Sequence, residues 1–247
     1  MSPFLRTTIL SFFSIFMFID CAQAQMFSVG NNGRVITPPS SAVIGGIEPL
    51  EFSFTGNRND LENEGAPDYS FNSPVYRLRL EVPGFQIFGG FGSNLGGNEN
   101  TNYLNAGINL EGGVNLYNRA TFGLQVPLEI SAEYHQMTTD LSTDRANEFR
   151  QSSILIGGGL GIRLRPAERI RITTKGIPMI GYAVSSHSGR GGVRYRIENR
   201  NRIFFDNLFG NTGLVTGIDF SYSDFNADEN RFQYKSFASS FMIGVTF

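Results

Sequence analysis

The two histidines of this chain keep very different company. His187 lies in Ser185-Ser186-His187-Ser188 and runs on into Gly189-Arg190-Gly191-Gly192. A serine becomes a nucleophile when a base stands within hydrogen-bond reach and a third group orients that base. Here the serine and the base are adjacent, but the sequence places no acid to hold the ring. His187 and Ser188 therefore read first as loop residues, and no catalytic set is assigned. His135 instead alternates with Glu133 and Glu129. A metal needs several converging ligands, and one strand cannot fold neighbours two apart around one ion. This group reads as a polar network, with no metal and no cofactor. The acidic clusters Asp60, Glu62, Glu64, Asp68 and Asp224, Asp228, Glu229 match no calcium-loop spacing and read as a solvated surface.

What remains is electrostatic. Glu111, Glu129, Glu133, Arg163, Arg171 and Lys175 all fall on the polar side of alternating ribbons. A strand points successive side chains to opposite faces. In the middle of the chain Leu104, Ala106, Ile108, Leu110, Val114, Leu116 face one way and Asn105, Asn109, Glu111, Asn115 the other. Phe122 to Tyr134 repeats the pattern against Gln125, Glu129, Ser131, Glu133, His135, and Ile154 to Leu164 continues it. Ile170, Ile172, Ile180, Tyr182 and Val184 stand against Arg171, Thr173 and Lys175. Charges at period two would scatter around a helix, so helices are excluded here. Pro127 and Pro178 cannot donate to a ladder, which predicts a bulge at each.

Further ribbons are Leu50–Phe54, Val75–Val82, Phe85–Phe91, Leu214–Ser223 and Phe232–Phe247. Short turns at Pro83-Gly84, Asn118-Arg119 and 166–168 alternate with long polar loops at 57–72, 94–101, 138–150 and 224–231. An even strand count requires one more ribbon between 185 and 214. Val193–Phe205 supplies it, alternating with Arg194, Arg196, Glu198, Arg200 and Arg202, although Asn199 and Asn201 fall on its apolar face. The pattern gives ten strands. The rival is eight, with 186–210 irregular and the first apolar ribbon outside the barrel.

The ends of the chain say where such ribbons belong. Arg6, the apolar run Ile9–Ile19 and Ala22-Gln23-Ala24 read as a secretory signal peptide over 1–24. A lipoprotein reading at Cys21 is poorly served by Phe18-Ile19-Asp20. Residues 25–43 read as a periplasmic lead-in and 44–247 as one domain. The net charge of −2 argues against a nucleic-acid partner. An exported chain that enters a bilayer without helices has only a closed barrel open to it.

The last ribbon puts Phe237, Phe241, Ile243, Val245 and Phe247 on one face and stops on the aromatic. It resembles the closing strand of bacterial outer-membrane β-barrels, where that ending is read by the insertion machinery. With the short turns inward, Phe85, Phe122, Phe205 and Phe247 form one rim, and Tyr76, Tyr134, Tyr182 and Tyr222 the other. Two aromatic girdles around an aliphatic band fit a bilayer. The resemblance, to small outer-membrane barrels, implies an all-β, closed antiparallel transmembrane barrel in the bacterial outer membrane. Its implied partners are membrane lipids, lipopolysaccharide and the barrel assembly machinery. It implies either a structural or narrow small-solute pore without enzyme activity, or a lipid-modifying enzyme of the outer leaflet. For the second, the Ser185–Ser188 stretch loosely resembles lipid A deacylase barrels but lacks their His-x-Ser spacing. Surface binding through loops 57–72 and 186–210 is the third reading.

A turn at 166–168 sets Arg163 opposite Arg171 and Gly159 opposite Lys175, with Glu129 level with Gly159. Gly157, Gly159 and Gly161 would then leave a groove across which Glu129 pairs with Lys175, and Glu111 would be the acid nearest Arg163 and Arg171. The terminal aromatic yields a direct test. Deleting Phe247 is expected to cut the heat-modifiable, membrane-assembled form several-fold. Intact protein found soluble in the periplasm would end the barrel reading.

Overall fold

The structure, a computed structural model, describes residues 41–56, 69–93, 101–139, 147–185, 191–227 and 232–247. The expected signal peptide, most of the expected lead-in, and His187 and Ser188 lie outside the described residues. Every described element is a strand: β1 Ala42–Gly56, β2 Tyr69–Val82, β3 Phe85–Ser93, β4 Thr101–Asn118, β5 Phe122–Thr139, β6 Asn147–Gly158, β7 Leu160–Ala167, β8 Ile170–Ser185, β9 Gly191–Phe209, β10 Thr212–Ala227 and β11 Phe232–Thr246. β6 and β7 are successive parts of one stave, both lying between β5 and β8. Each stave pairs antiparallel with its sequence neighbours, and β1 pairs with β11, which closes a ten-stave barrel.

The wall is staggered. Following direct partners once around from Ala42 passes Glu81, Gln86, Asn109, Ser131, Leu155, Gly181, Arg194, Phe225 and Tyr234, and returns to β1 at Phe54, twelve residues along. A closed barrel requires such a shear, and the shear tilts its strands. Ser41, Phe247 and the short turns share one end, and the strand ends Gly56, Tyr69, Ser93, Thr101, Ser185 and Gly191 lie at the other.

Alternation sorts the faces as the sequence predicts. On β6, Ile154 is 65% exposed and the next residue, Leu155, fully buried. Outside runs a belt that includes Leu78, Ile130, Ile156, Ile180, Ile197 and Ile243. Exposed Tyr76, Tyr182 and Tyr222 rim it above, and exposed Phe122 and Phe247 below. The ten-strand expectation holds and its eight-strand rival, with 186–210 irregular, does not, because β9 spans Gly191–Phe209 within the wall. Its outward amides are bonded: Thr174 Oγ1 donates to Asn201 Oδ1 at 2.6 Å, Asn201 Nδ2 to Ile218 O at 3.1 Å, and Asn199 Nδ2 to Lys175 O at 3.3 Å.

Two expectations are corrected, and one ribbon gains its facing. β1 begins at Ala42, inside the expected lead-in, because Ala42 and Val43 are paired on both sides. Leu50 and Phe52 point into the bore, while Glu51 and Ser53 face out. Above the belt the outer surface meets water, and the apolar residues serve the interior. The prolines do not sit at bulges: register is kept across both. Pro127 and Pro178 instead flank Gly158 and Gly159 from the two neighbouring strands, and the ladder is interrupted there. Neither proline can donate into that gap, and Gly159 N–H bonds to Pro127 O at 3.1 Å.

The wall is tight at this break. A Cβ on Gly159 would lie 1.8 Å from Gly176 O. Gly159→Ala is therefore expected to destabilise the refolded barrel by about 1–3 kcal/mol, read as a lowered urea midpoint in detergent. An unchanged midpoint would show a slack wall.

Candidate functional site

The bore is filled. β9 carries Arg194, Arg196, Glu198, Arg200 and Arg202 at alternate positions, so all five project inward, and all are buried. Arg200 reaches three strands: Nη2 lies 2.7 Å from Glu129 Oε1 on β5, Nη1 3.4 Å from Glu111 Oε2 on β4, and Nε 2.7 Å from Glu198 on its own strand. Arg196 pairs with Glu133 and lies 3.3 Å from Glu198 and 3.6 Å from Glu129. Arg194 contacts Glu133 at 2.9 Å and donates to Ser153 Oγ at 2.6 Å. Across the bore, Asp219 on β10 receives Arg202 at 2.9 Å and Arg79 of β2 at 2.6 Å. Arg202 also meets Glu81 at 3.4 Å. Arg77 closes on Glu48 at 2.8 Å, and Ser240 donates to the same carboxylate.

Charge balances. Glu48, Glu81, Glu111, Glu129, Glu133, Glu198 and Asp219, seven acids, are matched by seven cations, Arg77, Arg79, Lys175, Arg194, Arg196, Arg200 and Arg202. Buried charges are tolerated when paired and hydrogen-bonded. Every member of this set has an ion-pair partner, while Glu129 Oε2 and the Nε atoms of Arg77, Arg79, Arg194, Arg196 and Arg202 bond no protein atom. His135 joins it as a polar member, with Nε2 3.1 Å from Glu133 and Nδ1 3.1 Å from the Tyr103 hydroxyl. Ser131, Asn109 and Gln86 extend the chain of hydrogen bonds to Glu81. No three of His, Cys, Asp and Glu are grouped as ligands for an ion among the described residues.

An apolar layer seals the network on the long-loop side. Phe52 stacks on Tyr234 with centroids 5.3 Å apart, Phe225 on Tyr234 at 5.4 Å, and Phe149 meets Tyr234 edge-on at 5.9 Å. Leu50, Val75, Tyr103 and Met137 complete it. Tyr234 donates to Gln151 at 2.7 Å, which satisfies its buried hydroxyl. Beside Glu48, Arg77, His135, Arg194 and Arg196 remains a cavity of about 40 Å³, room for about three waters. Arg77, Arg194 and Arg196 Nε, which bond no protein atom, are polar partners for such waters.

The sequence located the right side chains on the inward face but paired some of them wrongly. Glu129 does not meet Lys175. The turn falls at Glu168–Arg169, and the irregularity between Leu164 and Ala167 slides the hairpin, so Arg163 lies opposite Thr173 and Lys175 opposite Gly161. Glu129 sits opposite Gly157. Glu129 and Lys175 are thus four residues apart along the strands, roughly 13 Å. Lys175 pairs with Glu111 instead, and Glu129 with Arg200. Glu111 is not the acid beside Arg171. That acid is Asp206, at 3.1 Å. The glycine groove is filled too, with Met179 against Gly157 and Gln125 against Gly161. Glu133 stands in the network as expected. The signal not drawn on for the candidate set was the Arg-x-Arg-x-Glu-x-Arg-x-Arg alternation of β9. With it went Glu48, Arg77, Arg79 and Asp219.

The barrel and its bore have the form of the bacterial outer-membrane β-barrels. No protein-family model and no curated protein matches the chain in sequence. Among solved structures it is similar to the outer-membrane protease OmpT of Escherichia coli, at 11% identity and TM-score 0.51, over 87% of this chain and 99% of that one. The attachment invasion locus protein Ail of Yersinia pestis aligns at 11% identity and TM-score 0.27, over 85% of this chain and 99% of that one. The β domain of the Bordetella autotransporter BrkA aligns at 9% identity and TM-score 0.33, over 84% and 99%. At 11% identity the likeness to OmpT shows the fold alone.

The pairing pattern is testable by double-mutant cycles in urea. Arg200→Gln alone is expected to cost about 3–5 kcal/mol by stranding buried carboxylates. Its coupling to Glu129→Gln is expected at about 0.5–3 kcal/mol. Glu129→Gln and Lys175→Gln are expected to add. Strong coupling in that last pair would restore the register first expected.

Proposed function

We propose that this chain is an integral outer-membrane barrel with a structural, non-enzymatic role and a bore closed at rest. The observation that carries this reading is the luminal network: seven acids and seven cations, cross-linked over the bore beneath an aromatic seal, with about 40 Å³ left empty beside them. A conducting pore needs a continuous water path, and among the described residues the cavity beside these charges is about 40 Å³. Export by a cleaved signal peptide, insertion by the barrel assembly machinery through Phe241, Ile243, Val245 and Phe247, and contact with membrane lipids and lipopolysaccharide complete the proposal. On β11 those four side chains are exposed and face outward, as a lipid-facing signal requires.

No conducting steps are expected from wild-type protein in planar bilayers. Glu198→Ala combined with Arg200→Ala removes the centre of the network and is expected to open steps. Steady conductance through wild type would put the narrow-pore reading first. His187→Ala is expected to leave the acyl content of lipid A unchanged. Loss of acyl chains on expressing wild type, abolished by that substitution, would replace this reading with lipid A hydrolysis.

A further inference from the structure

Below the balanced network, toward the short turns, the charge no longer balances. Arg163 and Arg165 on β7 and Arg171 on β8 face the bore near its mouth, and one carboxylate, Asp206 of β9, serves them. Arg171 Nη2 and Nε lie 3.1 and 3.3 Å from Asp206, and Arg165 Nη2 lies 3.7 Å from it. Arg163 makes no ion pair among the described residues. Its Nη2 donates to Asn118 Oδ1 and, at 3.5 Å, to the Arg119 carbonyl. Arg165 and Arg171 thus share Asp206, while Arg163 is bonded to neutral oxygens among the described residues.

These guanidinium groups are held in place. Arg163 lies flat over Gly123, where a Cβ would come within 3.2 Å of Nη2 and 3.3 Å of Nε. The bare backbone is the shelf on which the plane rests. The Arg171 guanidinium carbon sits 3.9 Å from the centroid of the Phe204 ring, which fixes its orientation as a stacked cation. The mouth is wet, since the Arg165 side chain is 38% exposed. Diagonal neighbours on one face lie about 7–8 Å apart, so Arg163 and Arg171 repel unless an anion stands between them. A guanidinium offers a planar fork that matches phosphate and carboxylate oxygens. Three forks present more donors than one carboxylate accepts, and phosphate has oxygens enough to receive them.

We propose that Arg163, Arg165 and Arg171 form an anion site in the turn-side vestibule that binds a phosphate group. The group comes either from free phosphate or from the headgroup of an anionic phospholipid in the adjoining leaflet. The proposal does not depend on whether the bore conducts.

The test uses the membrane-extracted full barrel in phosphatidylcholine nanodiscs, titrated with inorganic phosphate and followed by ³¹P NMR. Saturable binding is expected, weakened at least tenfold in R163Q/R165Q. R150Q, at the opposite end, is expected to leave it unchanged. The heat-modifiable band verifies folding of each variant. R163K keeps the charge but loses the fork, and is expected to fall between wild type and R163Q/R165Q. Repeating the titration in phosphatidylglycerol nanodiscs separates the sources: suppressed phosphate binding identifies the lipid headgroup, and undiminished binding identifies free phosphate. Equal binding by wild type and R163Q/R165Q would overturn the site. So would absence of phosphate binding together with no preference for phosphatidylglycerol in native mass spectrometry.

Discussion

A strand edge cannot be left bare in hydrocarbon, where each unpaired backbone group costs several kcal/mol. The whole structure therefore depends on Ala42–Gly56 finding Phe232–Thr246, the first strand and the last. Until that seam forms, β1 and β11 each keep one bare edge. Once it forms, the twelve-residue stagger fixes the tilt, and with ten staves the tilt fixes the bore. The interior has to answer to a width set by the backbone.

It answers with charge. Well-packed apolar residues often equal or exceed a buried ion pair in stability, so stability alone does not require this filling. Charged side chains are long, however, and each of these reaches more than one strand. Arg200 ties β9 to β4 and β5, and Asp219 ties β10 to β2 and β9. The network braces walls that touch only their immediate neighbours through the ladder. Broken one partner at a time, it strands buried charges, so its members hold each other in place.

Much of this was legible in period-two alternation. A residue such as Ile154 must face away from Leu155 in any strand, so strand identity, facing and count followed from local pattern and parity. Register did not. It hangs on a single turn, and the irregularity between Leu164 and Ala167 displaced Lys175 by two positions relative to its neighbour. That slip takes Lys175 away from the level of Glu129, and its partner Glu111 lies three staves away on β4, which local pairing does not reveal. The facing of Leu50 and Phe52 was not legible for another reason. Apolar residues facing lipid and apolar residues sealing a bore alternate identically, and only height along the barrel separates them. Asp206 could not be matched to Arg171 without knowing that β8 and β9 are neighbours.

The wall also has unequal edges. β3 starts at Phe85, opposite Leu110, while β4 continues past it to Asn118, paired there with β5 alone. The barrel is thus shorter beneath the β2–β3 turn than beneath the β4–β5 turn. A bilayer meeting a short hydrophobic wall thins to match it, at fractions of a kcal/mol per Å. The protein carries that mismatch on one side only. Lipid compressed along one arc and relaxed along the rest would give the barrel a preferred direction in the plane of the membrane.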